Sequence, residues 1–423
     1  MRVALKYGGG HLMVNLPDTD INVIEPVYTA GLPDEREAFS KAVRAPSGSL
    51  PLREMISSEE NVAVVIPDIT RPFPGNRVIP WLMKEMGHVS PDRLTIIIGT
   101  GSHRACNSDE MAAMLGREII SRYHVVNHDA FKADKLDSAG RLRGGRCIRM
   151  NREYIRADKR ILLGFVEPHF MAGFSGGYKA VCPGILGIED IIYFHGAEMI
   201  DHSRSTWGML DGNPTQNMIR ECGALQPADF CINVTLNRDR HITGLFAGEP
   251  IACHEEACRF CRESAMVSVP DHYDIVITTN GGYPLDQNLY QTVKGMSAAG
   301  RIVRSGGLIL CAAECRDGFP DHGNFKSLLT THSSPEDLLA QVRISKEGML
   351  DQWEAQLLAI IASRARIALY SGLEAHEVSQ AYMEAVENIE IRLAAEMDEL
   401  GGRSSIAVLP EGPMTIPYIK EEN

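Results

Sequence analysis

Polar side chains that suit acid–base chemistry follow directly after short apolar runs in this 423-residue chain. Asp68 and Arg71 lie in DITRP after VAVVIP, and His103 lies in GTGSHR after LTIIIG. Histidine suits proton transfer because its unperturbed pKa lies near neutrality. Parallel strands deliver their carboxyl ends to one edge of a sheet, so these residues are expected to converge there.

A second group of polar residues follows the apolar run DKRILLGFV. The stretch EPHFMAGFSGGYKAVCPGILG, residues 167–187, carries His169, a Ser-Gly-Gly turn and Lys179. His195 ends a further apolar run, IIYFHG, and is expected to reach the same edge. A reaction that inverts a stereocentre needs a proton-handling group on each face of its substrate. His103 and His169 stand on different loops and could flank a ligand from opposite sides.

Each of these residues also has an ordinary structural interpretation. A single histidine after a strand is commonly a turn or core residue, Asp68 could cap a turn, and Arg71 could belong to a surface ion pair. The glycines of FSGGYK could serve only a tight turn. The stretch lacks the Gly-Lys-Ser/Thr of a phosphate loop, and no Gly-x-Gly-x-x-Gly follows the first strand. It is the joint placement of these residues at strand ends that favours a functional site.

The elements that must position these residues are read from hydrophobic runs. Continuous Val, Ile and Leu runs bounded by turn residues are typical of strands buried on both faces. They are NVAVVIPD, RLTIIIGTG, KRILLGFVEPH, YDIVITTNGG, GGLILCAAE, ARIALYSG and SSIAVLPEG. Helical stretches lie between them, such as DEMAAMLGREIISRY after a cap at Asn107 or Ser108. We therefore expect an α/β protein whose mainly parallel sheets are flanked by helices.

The length of the chain predicts two domains with an active-site cleft between them. We place a cofactor-binding α/β domain at 1–266, a second α/β domain at 267–400 and a strand or tail at 401–423. The formal net charge of −13 and the absence of a long basic run argue against nucleic acid and anionic membranes as partners. Without a signal peptide or a membrane-length apolar stretch, a cytoplasmic location is expected.

One cysteine group needs separate consideration. Cys253, Cys258 and Cys261 lie in CHEEACRFC beside His254, a spacing that could form part of a zinc or iron–sulfur site. The run looks helical, however, and no second Cys-x-x-Cys pair follows. Small residues on a helix, with free thiols, are the preferred interpretation.

The motifs together resemble the nickel-dependent lactate racemase family. They are DITRP at 68–72, GTGSHR at 99–104, EPHFMAGFSGGYKAVCPG at 167–184, FHG at 194–196, YQTVKG at 290–295 and the tryptophan of LDQWEAQ. They occur in the family's order and at close to its spacing. The resemblance implies racemisation or epimerisation of a 2-hydroxy acid by reversible hydride transfer to a nickel-pincer nucleotide.

The resemblance also implies a role for each matching residue. Lys179 would carry the cofactor covalently through one of its two thio-acid arms, and His195 would complete the nickel coordination. His103 and His169 would alternate as acid and base. Cofactor contacts would come from Asp68, Ile69, Thr70, Arg71, Gly101 and Ser175. Substrate contacts would come from Arg71, Gln291, Lys294 and Trp353.

Several points stay open at the level of sequence. The shared motifs do not determine which 2-hydroxy acid is bound, whether lactate or a larger one, and they do not determine the oligomeric state. An NAD-linked 2-hydroxy acid oxidoreductase and a non-catalytic binding protein with a degenerate site are the alternatives. The expected partners are a small hydroxy acid and, transiently, the proteins that make the cofactor.

Overall fold

The computed structural model describes residues 1–320, 323–345, 348–402 and 404–420, and it divides into two compact units. The central unit comprises residues 28–194 and 204–263. The terminal unit comprises residues 1–27, 195–203 and 264–423, of which the last three residues lie outside the described part. The first 27 residues and the 195–203 segment thus group with the C-terminal residues, whereas the sequence suggested a single boundary near 266. No helix in the described ranges is long and apolar enough to cross a membrane.

The central unit is built on a six-stranded sheet in which all neighbours are parallel except the pair at one edge. Strands and helices are numbered in chain order. From one edge to the other the strands are β13 (Ile242–Gly248), β12 (Phe230–Leu236), β9 (Lys159–Phe165), β4 (Val62–Pro67), β5 (Leu94–Gly99) and β6 (His124–Asn127). Two hairpins join it, β7 (Leu136–Arg141) with β8 (Cys147–Asn151), and β10 (Pro168–His169) with β11 (Gly173–Phe174).

Amphipathic helices of the central unit cover this sheet. They are α1 (Glu35–Arg44), α2 (Leu52–Met55), α3 (Gly75–Glu85), α4 (Ser108–Leu115), α5 (Arg117–Arg122), α6 (Arg152–Arg156), α7 (Ile188–Phe194), α9 (Pro214–Leu225) and α10 (Pro250–Ala265). One face of β4 packs Val62, Val64 and Ile66 against Phe39 of α1 and Leu82 of α3. Each fully buried side chain of this size contributes roughly 1.5–3 kcal/mol, so this layer holds the strand ends in place.

The terminal unit contains a second six-stranded sheet, and all of its strands are parallel. Its order is β18 (Glu384–Ala385), β17 (Arg366–Tyr370), β16 (Val303–Ala312), β15 (Tyr273–Thr279), β19 (Ile406–Leu409) and β3 (Ile21–Val23). Beside it lie the hairpin of β1 (Arg2–Tyr7) and β2 (Gly10–Asn15) and the parallel pair of β14 (Met266–Val269) and β20 (Ile416–Ile419).

Both faces of the terminal sheet are covered. The helices are α8 (Ala197–Asp201), α11 (Leu289–Ala299), α12 (Phe325–Thr331), α13 (Pro335–Ile344), α14 (Gln352–Ala362), α15 (Ala375–Gln380) and α16 (Ile389–Glu399). Val276 of β15 faces a core shared with α11 and α14, and its neighbour Ile277 faces a core shared with the β1–β2 hairpin and α16. Burial on both faces explains why these strands read as continuous apolar runs rather than alternating ones.

The predicted fold class is confirmed, and all seven apolar runs form strands. Two local predictions were wrong. The run IIYF before His195 is the end of helix α7 and not a strand, because seven residues from Ile188 keep a helical path. The helix predicted from DEMAAMLGREIISRY is interrupted at Gly116, whose φ of 84° lies outside the helical region. The cap at Asn107 is present as a capping box with Glu110.

Candidate active site

Two neighbouring parallel strands bring an aspartate and a histidine together. Asp68 directly follows β4, and His103 stands four residues after β5. Oδ2 of Asp68 lies 2.7 Å from Nδ1 of His103. A carboxylate can only accept here, so Nδ1 carries the proton and Nε2 of neutral His103 keeps its lone pair. The histidine side chain is 46% exposed, so this lone pair belongs to an accessible ring.

The environment of Asp68 keeps its carboxyl group ionised. The residue is only 5% exposed. Burial by itself raises its pKa, but hydrogen bonds from His103 and Thr70 and the charges of His103 and Arg71 outweigh burial and lower the pKa below its ordinary value. The Thr70 hydroxyl donates to Oδ1 over 2.6 Å, which leaves Oδ2 aligned on His103. The pair has the geometry of a histidine base held in one tautomer by a buried acid.

His169 is held differently from His103. It lies at the end of β10, and its Nδ1 accepts the backbone N–H groups of Met171 and Ala172 at 3.2 and 3.3 Å. Its ring stacks on Phe170 at a centroid distance of 4.8 Å. Because Nδ1 is the acceptor, the proton of the neutral ring is on Nε2. In this orientation the two candidate histidines therefore present opposite tautomers.

The stretch that carries Lys179 forms a tight loop followed by a single 3-10 turn, Gly177–Ala180. Gly176 and Gly177 have φ values of 86° and 53°, a region that favours glycine. The Ser175 hydroxyl donates to the carbonyl of Phe165 over 2.7 Å and accepts the N–H of Glu167. This hydroxyl therefore braces the loop, and its predicted contact with a nucleotide stays a prediction.

In the terminal unit, helix α11 brings two predicted substrate residues together. Lys294 donates to Oε1 of Gln291 over 2.5 Å, as expected for residues three apart on one helix face. Glu354 of α14 is 1% exposed, and burial raises its pKa to about 7 although the charge of Lys294 lowers it. Sequence reasoning missed Glu354, because a carboxylate inside an apolar helix gives no motif.

His195 lies against Trp353 within the terminal unit. The two rings stack at a centroid distance of 4.1 Å and an angle of 28°. The indole N–H of Trp353 donates to the hydroxyl of the partly buried Tyr290 over 2.9 Å. After His195, α8 is held by Gln356, whose amide donates to the carbonyl of Ala197 at 3.0 Å. The histidine thus sits on a fixed aromatic face.

The structure sorts the predicted residues into two sets. The central unit holds Asp68, Ile69, Thr70, Arg71, Gly101, His103, His169, Ser175 and Lys179. The terminal unit holds His195, Gln291, Lys294 and Trp353. Direct contacts join Asp68 with His103, Lys294 with Gln291, and His195 with Trp353.

The cysteine group of CHEEACRFC lies on α10 with all three thiols buried. Across the described residues, no three or more His, Cys, Asp or Glu side chains are grouped so as to hold a metal ion. Burial raises the pKa of the Cys261 thiol, which keeps it protonated near neutrality.

Comparison with known proteins agrees with the fold and the motifs. Two units of mainly parallel α/β structure, one of them with a histidine–carboxylate pair at its strand ends, define an α/β enzyme scaffold. Residues 7–208 match the Lactate racemase N-terminal domain, and residues 269–416 match the Lactate racemase C-terminal domain. The chain belongs to the lactate racemase family, as its motifs predicted.

Individual relatives cover almost the whole chain. It is 32% identical to the lactate racemase of Thermoanaerobacterium thermosaccharolyticum over 98% of both chains. It is 34% identical to the lactate racemase of Lactiplantibacillus plantarum over 89% of this chain and 90% of that one. Both relatives are named as racemases, in agreement with the predicted isomerase class.

Solved structures give the same result for the fold. The lactate racemase apoprotein from T. thermosaccharolyticum superposes with a TM-score of 0.92 at 30% identity, covering 99% of this chain and 100% of that chain. A protein from Thermotoga maritima superposes with a TM-score of 0.66 at 17% identity, covering 91% and 97%, and shows a shared fold alone.

Proposed function

We propose that this protein is a racemase or epimerase of a 2-hydroxy acid, lactate or a larger relative, that works by reversible hydride transfer. The observation that carries the proposal is the 2.7 Å contact between Asp68 and His103. It supplies what removal of a hydroxyl proton requires: an accessible imidazole nitrogen backed by an ionised carboxylate. Family membership and the names of two near full-length relatives support lactate as the first substrate to test.

His103 is the proposed base for one enantiomer. As hydride leaves Cα, Nε2 of His103 takes the hydroxyl proton and a planar 2-keto acid results. The imidazolium that forms carries its positive charge beside the Asp68 carboxylate, which is ionised and buried. Such a pair is favoured because the opposite charge is already in place when the proton arrives.

His169 is the proposed partner on the opposite face. In its present orientation Nε2–H can donate a hydrogen bond to the substrate oxygen. Nε2 can accept a proton only in the tautomer whose proton is on Nδ1. That tautomer would point an N–H at the N–H groups of Met171 and Ala172, which now donate to Nδ1. The ring would then turn away from these amides. The two histidines are thus proposed to serve opposite enantiomers, each held by different partners at Nδ1.

The residues present fit the family's nickel-pincer nucleotide. When bound, that group supplies an electron-poor carbon that accepts hydride from Cα and returns it. A histidine would hold the metal of that group, because imidazole is a donor that suits nickel. His195 is the proposed nitrogen donor, held on the face of Trp353. Lys179 is the proposed point of attachment, on the 3-10 turn that directly follows Gly176.

The remaining residues are proposed to hold the substrate. Arg71 suits the carboxylate because a guanidinium binds both oxygens at once, and Lys294 adds a second positive charge. Gln291 fixes the Lys294 ammonium by its 2.5 Å hydrogen bond. Oligomeric state and the transient visit of cofactor-making proteins are open to direct measurement.

The experiment that tests the proposal loads the protein by co-production with cofactor-synthesis genes. Single enantiomers of lactate and of larger 2-hydroxy acids are then offered, and products are separated by chiral chromatography. We expect at least one pair to interconvert, and His103→Ala to lower turnover at least about 100-fold, the lower end for loss of a general acid or base. Nickel-loaded protein that interconverts none of the pairs would refute the proposal.

A further inference from the structure

We infer that His254 and Asn233 are positioning residues that fix the backbone of the Ser-Gly-Gly turn and thereby set the direction of Lys179. This inference rests on the proposed attachment of a cofactor at Lys179. It assigns a role to the histidine of CHEEACRFC, which the motif itself leaves unexplained.

His254 reaches the turn from helix α10. Its side chain is buried at 3% exposure, and its Nε2 lies 2.9 Å from the carbonyl oxygen of Ser175. A carbonyl accepts, so Nε2–H is the donor and the ring is neutral. Burial lowers the pKa of His254 to about 4, with the Ser175 carbonyl opposing. The contact therefore stays a neutral hydrogen bond throughout the physiological pH range.

Asn233 reaches the same turn from strand β12. It is fully buried, and its Oδ1 accepts the N–H of Gly177 at 3.1 Å. Its amide nitrogen donates to the sulfur atoms of Cys231 and Cys253 at 3.2 and 3.3 Å, which fixes the orientation of the amide group. One buried side chain thus holds the carbonyl that begins the turn, and the other holds an N–H two residues later.

The two glycines are packed against these side chains. A Cβ on Gly177 would lie 2.8 Å from Cγ of His254, and a Cβ on Gly176 would lie 2.8 Å from Oδ1 of Asn233. Any larger residue would push the turn off its two hydrogen bonds. The N–H of Lys179 donates to the carbonyl of Gly176 at 3.1 Å. A shift of this turn would therefore also move the backbone of the lysine.

The CHEEACRFC pattern then has a physical explanation without a metal. The helix presents His254 to the turn, and two cysteines of the same helix lie beside the contacts that hold the turn. The sulfur of Cys258 lies 3.3 Å from the same Nε2, and Cys253 contacts the Asn233 amide. Thiols are weak hydrogen-bond groups, so they leave the strong donor to the Ser175 carbonyl.

Four variants test this inference. His254→Leu keeps the bulk and removes the donor. His254→Asn keeps an amide but is too short to reach Ser175, whereas His254→Gln can place an N–H near the Nε2 position. The matched control is His88→Leu, because Nε2 of His88 also lies 2.7 Å from a backbone carbonyl, that of Ile56, elsewhere in the central unit.

The first measurement is amide hydrogen exchange in the cofactor-free protein, read on a peptide covering residues 175–184. We expect His254→Leu and His254→Asn to speed exchange there about tenfold, the effect of losing one buried hydrogen bond, and His254→Gln to remain near wild type. His88→Leu should leave this peptide unchanged. If His254→Leu fails to fold, the comparison of His254→Asn with His254→Gln still tests the inference.

The second measurement is the fraction of chains that carry a covalent adduct at Lys179 after co-production with cofactor-synthesis genes. We expect this fraction to fall at least about threefold in His254→Leu and His254→Asn and to be restored in His254→Gln. The reason is that loss of one buried hydrogen bond loosens the Ser-Gly-Gly turn. Unchanged exchange and unchanged adduct in both variants would overturn the inference. If the wild type carries no adduct, the proposed attachment at Lys179 is refuted. The amide exchange rates alone then test whether His254 fixes the turn.

Discussion

Nδ1 of His103 lies 2.7 Å from Oδ2 of Asp68, whereas Nδ1 of His169 accepts two backbone amides. Nδ1 of His103 therefore donates to a carboxylate, whereas Nδ1 of His169 is an acceptor. Asp68→Asn removes the negative charge and can reverse the donor at Nδ1.

For this variant we expect one enantiomer of the substrate to lose turnover about 100-fold and the other to lose less. Single-enantiomer rates of cofactor reduction, followed by absorbance in a single turnover, measure this. Equal losses for both enantiomers would show that Asp68 does not act through His103. Thr70→Val removes the hydroxyl donor to Oδ1 but leaves the carboxylate facing His103, so it should cause a smaller loss than Asp68→Asn.

The stack of His195 on Trp353 predicts graded effects on nickel. His195→Ala should lower the nickel content of loaded protein. Trp353→Ala should weaken nickel retention about tenfold, because residues that orient a ligand commonly have that effect. Trp353→Phe keeps the ring face and loses only the donor to Tyr290, so it should retain most nickel. Nickel per chain is measured by mass spectrometry, with His202→Ala as control. Full nickel in His195→Ala would remove that residue as the ligand.

Two buried histidines predict how stability changes with pH. Burial lowers the pKa of His128 and of His254 to about 4, from an ordinary value of 6.5. Between these pH values the unfolded chain binds the protons and the native chain does not. The free energy of unfolding should therefore fall as pH drops from 6.5 to 4, by at most about 1.4 kcal/mol per pH unit for each.

Urea unfolding at several pH values measures this slope. The double variant His128→Gln and His254→Gln should flatten it, since glutamine has no proton to take up. An equally steep slope in the double variant would mean that these histidines do not control acid stability.

Glu354 is expected to change the stability of the protein with pH in the opposite direction. Burial raises its pKa to about 7, above an ordinary value of 4.5, with Lys294 opposing and Asp351 reinforcing. The native state therefore holds this proton longer than the unfolded chain, and the stability that results is lost as pH rises through 7. Glu354→Gln should gain in melting temperature relative to wild type by about 2–4 °C on going from mildly acid to mildly alkaline pH. A difference that does not change with pH would contradict this.

The convergence of Asp68 and His103 could be predicted from sequence because β4 and β5 are both apolar runs that end in turn residues, and adjacent parallel strands share an edge. The pairing of Gln291 with Lys294 followed from helical spacing. The detailed contact of Asp68 with Nδ1 could not be predicted, since it depends on rotamers and on a turn closed by Thr70.

His195 shows where sequence reasoning was insufficient. A four-residue apolar run has no periodicity that separates strand from helix, so IIYF was misassigned. Its grouping with the terminal unit depends on distant contacts, including Trp353 and Gln356. The cysteine spacing around His254 left a metal site as the less favoured alternative, and a sequence cannot reveal that the carbonyl of Ser175 lies next to that histidine.

The most direct test uses lactate, or the larger 2-hydroxy acid that the protein interconverts, with deuterium at C2, offered as one stereoisomer to cofactor-loaded protein in ordinary water. Hydride transfer moves that hydrogen without exchange, while the histidines handle only the hydroxyl proton. We predict that the product of opposite configuration at C2 accumulates with its deuterium retained, and that His103→Ala and His169→Ala each suppress this product. Product in which the deuterium has been replaced by solvent hydrogen, or no opposite enantiomer from nickel-loaded protein, would contradict it.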